Sequence, residues 1–225
     1  IVDYFQRDHM QFIWNGSYPK KRNWVLDNVN IKTEWVLFLD ADEIIPDTFS
    51  IEFETKIAAD PRITGFWLNY RQFYTGVELL FGERQRKLAL FKHDDTRYER
   101  IDSSNDIYDM EIHEHPIISG KVSELTELIM HNDFKSIEHS NEKHLNYANW
   151  EVKRHNDLNG NFHKNLTLRQ KIKYSLMRYR LLAELYFFYI YIIRLGFLDG
   201  RAGLLYALLK RKYFLNIYRN IKCRH

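Results

Sequence analysis

Apolar positions along this chain recur first at helical spacing, then in alternation, then at helical spacing again. In residues 17–34, "SYPKKRNWVLDNVNIKTE", Trp24, Val25 and Val29 recur at helical intervals, and Pro19 stands near the start, where its missing N–H costs little. The next run, Glu34 to Leu39, is too short and too uniformly apolar for an amphipathic helix. It predicts a strand buried on both faces, as in a parallel sheet. Helix followed by buried strand is half of an α/β unit. "DTFSIEFETKIAAD" predicts a second helix, with Asp47 or Thr48 as N-cap and Pro61 beyond its end.

From Gly65 to Phe91 the spacing becomes β-type, in "GFWLNYRQFYTG" and then "KLALFKHD". Residues 93–120 are polar and predict a loop region with a short strand around Met110 to Ile112, and "ELTELIMH" predicts a strand ending at His131. After Asn132 the pattern is helical: Ile137, Leu145, Ala148 and Val152 form one stripe, and two further helical stretches, 167–193 and 201–222, are joined by "LGFLDGRAG". No internal repeat or low-complexity tract interrupts this order. The expected organisation is an α/β domain over 1–134 and a helical region over 135–225.

Composition narrows the class. With 225 residues, 45% hydrophobic and 28% charged, the chain reads as one globular domain plus an appendage. A net charge of +3 argues against a nucleic-acid partner, which calls for a concentrated basic face. The single cysteine, Cys223, excludes an internal disulfide and a cysteine-based zinc site, and fits a reducing compartment. "IVDYFQRDHMQFIWNG" has neither a basic nor an apolar region of the signal-peptide kind.

"LYFFYIYII", Leu185 to Ile193, lies between Glu184 and Arg194, short of the roughly 20 residues a membrane span requires. From Arg194 onward, Arg201, Lys210, Arg211, Lys212, Arg219, Lys222 and Arg224 accompany a single acid, Asp199. Basic amphipathic helices of this type bind anionic membrane surfaces, so residues 185–225 are a candidate peripheral membrane contact. Helices packed on the domain or on a second subunit are the alternative.

The densest chemistry is in "WVLFLDADEIIP", Trp35 to Pro46, where a buried strand runs into Asp40, Asp42 and Glu43. In extended chain, residues two apart point to the same side, so Asp40 and Asp42 could converge on one ligand beyond the strand, where α/β folds build their sites. Two carboxylates there suit Mg²⁺ or Mn²⁺, which take remaining ligands from water and phosphate. The plain alternative is a turn or helix cap.

"RNWVLDNVNIKTEWVLFLDADEIIPDTF" resembles glycosyltransferase family 2, nucleotide-sugar enzymes of the GT-A fold, in which a helix containing Arg-Asn precedes a strand ending in a D-x-D motif. "KLALFKHD", "MEIHEHP", "LIMHNDF" and "YIIRLGFLDGRAGLLYALL" resemble later segments of that family in order, nearest to the bacterial enzymes that build lipopolysaccharide core or surface polysaccharide. The resemblance implies a Rossmann-like mixed sheet that here lacks its first strands, because the family's nucleotide-binding strand and loop have no counterpart before Ile1. The chain is therefore expected to be a cut through a longer protein and to hold only part of the donor site.

The resemblance further implies roles. Asp42 would hold a divalent metal, Mg²⁺ or Mn²⁺, on the donor diphosphate, with Asp40 on the ribose or a metal-bound water and His131 as a third ligand. Arg22 and Asn23 would face the donor, a UDP-sugar foremost. Arg86 and Lys87 would hold the diphosphate or an anionic acceptor, unless they are merely solvated surface. Glu114 is the first candidate for general base in an inverting transfer, with Glu111 and Asp109 behind it. These three carboxylates with His113 and His115 fall within seven positions, close enough to raise a carboxyl pKa toward working pH. Among Trp67, Tyr70, Phe73 and Tyr74, core packing competes with sugar stacking. The implied acceptor is a bacterial glycan or glycolipid, and the implied location is cytoplasmic, at the inner membrane face. A haloacid-dehalogenase-like phosphatase with Asp40 as nucleophile and Asp42 as acid, and a non-catalytic glycan-binding or assembly module, are the competing classes.

Overall fold

The structure is a computed structural model that describes residues 10–13, 20–94, 96–99, 115–158 and 168–223. Its elements run α1 (Lys21–Asn28), β1 (Trp35–Leu37), β2 (Glu43–Ile44), α2 (Phe49–Ala59), β3 (Ile63–Tyr74), β4 (Val77–Leu79) and β5 (Arg86–Lys92). There follow β6 (Arg97–Tyr98), β7 (Pro116–Ile117), β8 (Lys121–His131), α3 (Ile137–Leu158), α4 (Leu168–Leu176), α5 (Leu181–Phe188) and α6 (Gly200–Lys222). The chain is thus mixed α/β with a helical C-terminal part. The strand expected around Met110 to Ile112 lies outside the described residues.

Two compact units form, each drawn from separate stretches of sequence. Of the described residues, the first holds those up to Ala41 with Pro46–Asn69 and Arg86–Glu127; the second holds Asp42–Ile45, Tyr70–Gln85 and those from Leu128 on. The described residues of 135–225 therefore all belong to the second unit, together with short pieces of strand.

In the first unit β5 lies between β1 and β3 and is antiparallel to both, pairing Val36 with Phe91 and Phe66 with Leu90. The strand expected to be parallel and buried on both faces is instead a half-buried antiparallel one. A uniform apolar run reports how much surface a strand hides, whereas its direction is set by partners some fifty positions away that local pattern does not contain. The aromatic rings of Trp35, Phe53 and Phe66 meet within 5.1–5.7 Å and fasten α2 to these strands. Thr48 stands at the α2 N-cap without a side-chain capping bond. Glu52 in the first turn accepts instead from the Thr126 and Glu127 backbone N–H groups at 2.8 and 2.9 Å, tying α2 to β8.

In the second unit, β4 pairs with the end of β3, and β2 pairs with the end of β8. The core between the helices comprises Ala148, Val152, Tyr174, Met177, Ala183, Phe214, Ile217 and Ile221. The stripe expected on α3 is corrected: Ile137 and Leu145 are exposed, and the buried line runs Ala148, Glu151, Val152, His155. Glu151 can be buried because Lys173 donates to its Oε1 at 2.8 Å.

The expected helical stretch 167–193 is broken into α4, α5 and one π-helical turn, Tyr189–Ile193. A 3₁₀ turn, Gly196–Asp199, then leads into α6, and Asp199 accepts from the backbone N–H of Leu80 and Phe81 at 3.0 and 3.1 Å. A Cβ at Gly203 would stand 2.0 Å from the Gly196 carbonyl oxygen, so only glycine lets α6 approach this turn. The "GFLDG" segment is therefore a packing device.

The expected cationic face of α6 is divided by internal bonds. Lys210 lies 3.1 Å from Glu83, Arg211 makes two bonds of 2.7 Å to Glu184, and Lys212 donates to Asn141 at 2.9 Å. Among the described residues no single helix is long and apolar enough to cross a membrane.

Candidate functional site

The D-x-D run begins three residues after the end of β1, and its two aspartates belong to different units. In the first unit, Asp40 is set beside cations from two elements. Lys87 on β5 donates to Oδ2 at 2.6 Å, and Arg22 on α1 lies 3.7 Å from Oδ1. Arg22 also rests over the Tyr98 ring at 5.3 Å, which holds the guanidinium in place. Lys87 is therefore engaged with a carboxylate, where its sequence alone suggested a solvated pair with Arg86. Arg86 stacks on Trp67 at 4.6 Å.

Asn23, expected to face a donor, is 1% exposed. Its Nδ2 donates to the Tyr98 carbonyl at 3.0 Å and its Oδ1 accepts from the Tyr98 N–H at 2.8 Å. An amide used at both ends in this way substitutes for a strand partner and pins α1 to β6.

In the second unit, the register of β2 on β8 sets Glu43 opposite His131 and leaves Asp42 just before the strand. Asp42 Oδ2 lies 3.4 Å from His131 Nε2. The His131 ring meets the Tyr70 ring at 6.1 Å edge to face, and the Tyr70 hydroxyl donates to buried Glu43 at 3.3 Å. Glu43, without a sequence-based role, is thus part of the packing that fixes the histidine. Tyr70 is core rather than sugar platform.

Asp42 opens onto a polar cleft of about 450 Å³ whose walls include Asn132, Asp133, Lys135, His139, Glu142 and Lys143. Burial pushes the Asp133 carboxyl up, but its hydrogen bond and charge pairing with Lys143 outweigh this and hold it below the usual carboxylate range. Sequence reasoning missed this wall of α3. Its signal is the spacing of Lys135, His139, Glu142, Lys143 and Asn146, a polar stripe at intervals of three and four.

Two ligand atoms on one octahedral ion, each about 2.1 Å from it, stand roughly 3 Å apart, so Asp42 and His131 at 3.4 Å fit as adjacent ligands of a divalent cation after slight closure. Among the described residues no cluster of three or more His, Cys, Asp or Glu side chains is arranged to hold a metal. An ion at this pair would take its other ligands from water and phosphate, which is how Mg²⁺ is commonly held. Glu114, Glu111, Asp109 and His113 lie outside the described residues. His115 is described, and its carbonyl accepts from the Glu99 N–H at 2.9 Å. No family model matches the chain, and no curated protein or solved structure matches it.

Proposed function

We propose that this chain is the metal-dependent catalytic part of a GT-A glycosyltransferase of family 2, moving a sugar from a UDP-sugar to a bacterial glycan or glycolipid with inversion, at the cytoplasmic face of the inner membrane. The observation that carries the reading is the Asp42–His131 pair, 3.4 Å apart at the paired ends of β2 and β8, with Asp42 on the wall of a polar cleft.

Asp42 and His131 would hold Mn²⁺ or Mg²⁺, and the ion when bound supplies charge neutralisation on a departing diphosphate. The protein's own groups do the rest. In the first unit Asp40, held by Lys87 and Arg22, would accept hydroxyl hydrogen bonds from a ribose, and the two cations would add positive potential beside it. In the cleft, Asn132, Glu142 and Asn146 offer the mixture of donors and acceptors that a sugar hydroxyl needs. The base that removes the acceptor's proton is assigned to Glu114 on the family resemblance.

Manganese electron paramagnetic resonance tests the reading: Mn²⁺ bound by the chain is expected to bind more tightly when UDP is added, and Asp42→Ala to lose both effects. Equal Mn²⁺ binding by Asp42→Ala and the unaltered chain would overturn the metal role. A phosphoryl group trapped covalently on Asp40 would move the protein to the phosphatase class.

A further inference from the structure

Five large apolar side chains on and after α5 stand in solvent: Leu181 is 62% exposed, Leu185 52%, Phe188 52%, Ile193 59% and Leu198 54%. Leu181, Leu185, Phe188 and Ile192 recur at intervals of four, three and four, so they form one stripe along the helix and its π-helical continuation. The opposite side, with Ala183 and Ile190, is buried in the core of the second unit. The exposed stripe is therefore a second apolar face on an element whose first is already used, and a monomer in water has no reason to display it.

Its border is cationic. Exposed Arg178 and Arg180 precede the stripe, and exposed Arg194 and Arg201 follow it. Between residues 176 and 201 the acids are Glu184 and Asp199. Both are already bonded within the protein, Glu184 to Arg211 and Asp199 to the backbone of Leu80 and Phe81. Against a second copy of the same patch, these arginines would face one another without counter-charge. Against an anionic lipid surface, both the apolar centre and the cationic border are complemented.

We propose that the α5 face is a membrane-docking surface that lies in the interface of an anionic bilayer. It lies on the bilayer rather than through it: α5 with its continuation and the following helices qualify as a span only as a pair bent by 73°, and the buried residues of α6 belong to the protein core. The docking residues are the apolar stripe, with arginines at both ends; of the basic positions on α6, Lys210, Arg211 and Lys212 are engaged with Glu83, Glu184 and Asn141 instead. This inference does not depend on the transferase reading.

Co-sedimentation of the full chain with vesicles tests it, comparing phosphatidylglycerol mixed into phosphatidylcholine with phosphatidylcholine alone. The chain is expected to partition onto the mixed vesicles, more weakly at raised salt, with affinity falling about fivefold for each of Arg178→Gln and Arg180→Gln. Leu185→Asp and Phe188→Asp are expected to abolish binding while leaving helical circular dichroism unchanged and lowering the thermal midpoint only slightly, since both side chains are half exposed. Equal sedimentation of the unaltered chain and the aspartate variants would overturn the proposal, as would no partition of the unaltered chain. A dimer in light scattering that Leu185→Asp reduces to a monomer would also overturn it, by showing that a second copy covers the face.

Discussion

Asp42 and His131 face each other across the paired ends of β2 and β8, with 3.4 Å between Oδ2 and Nε2, while Asp40 is bonded to Lys87 at 2.6 Å. The two aspartates of one D-x-D run thus have different neighbours. Asp42→Ala and His131→Ala are each expected to abolish Mn²⁺ binding, and Asp40→Asn to leave it unchanged while weakening UDP. Metal titration of the three variants, with and without UDP, checks the division of roles.

A second pair is structural. Glu83 accepts from the Tyr186 hydroxyl at 2.6 Å and lies 3.1 Å from Lys210 Nζ, inside the second unit. Burial alone would raise the Glu83 carboxyl, but Lys210 and Tyr186 outweigh it and hold it below its ordinary value. Lys210→Met leaves that half-buried carboxylate without its cation and is expected to cost about 1–3 kcal/mol in urea unfolding. Adding Glu83→Gln should recover much of the loss. A carboxyl depressed in the folded state stabilises above its unfolded pKa, so this contribution disappears as pH falls through the folded value.

His144 predicts a second pH dependence at higher pH. Burial first, then the nearby Lys210 charge, lower its pKa from 6.5 to about 4, although its Nδ1 meets the Ser140 carbonyl and Asp133 acts in the opposite direction. Between those values the unfolded chain binds a proton that the folded chain does not, so stability falls on acidification through that window. The full effect is about 3 kcal/mol by pH 4. Urea midpoints across the window should show the decline in the unaltered chain and a much smaller one in His144→Gln.

Asn23 illustrates what the sequence conveys and what it withholds. Asn23→Ala orphans both the N–H and the carbonyl of buried Tyr98, and is expected to cost about 2–4 kcal/mol in equilibrium unfolding. A residue that faced a donor would instead lose ligand affinity at unchanged stability. The Arg-Asn pair was legible as important, but not how its two members divide: Arg22 reaches Asp40, while Asn23 turns into the core.

The same limit applies across the fold. Periodicity located α2, β3, β5, β8, α3 and α6, because each runs long enough for its apolar spacing to repeat. It could not locate two-residue strands such as β2 and β6, which exist only through their partners β8 and β7. His131 as the end of a strand was readable from "ELTELIMH". The cleft beside it was not, because it joins the loop at Asn132 and Asp133 to a face of α3 whose polar stripe resembles any solvated helix surface. Buried Glu151 and half-buried Lys210 were hidden for the related reason that a charge pattern does not name its counter-charge.

Leu195 ties stability to the proposed docking face. Its backbone is left-handed, with φ 58° and ψ 25°, a conformation in which a branched side chain is strained by about 1–2 kcal/mol and glycine is not. The side chain is 43% exposed, so it buries less than a core leucine would to offset the strain. Leu195→Gly is therefore expected to raise the folding free energy by a net of about 0.5–1 kcal/mol, since glycine's added freedom in the unfolded chain cancels part of the relief. The same substitution should weaken partition onto phosphatidylglycerol-containing vesicles, because it removes an apolar group from the surface. A chain that becomes more stable and yet binds vesicles less well separates the two roles of this position, and thermal unfolding beside vesicle sedimentation measures both. If Leu195→Gly instead destabilises the fold, the side chain is a packing element and the strain is compensated within the protein.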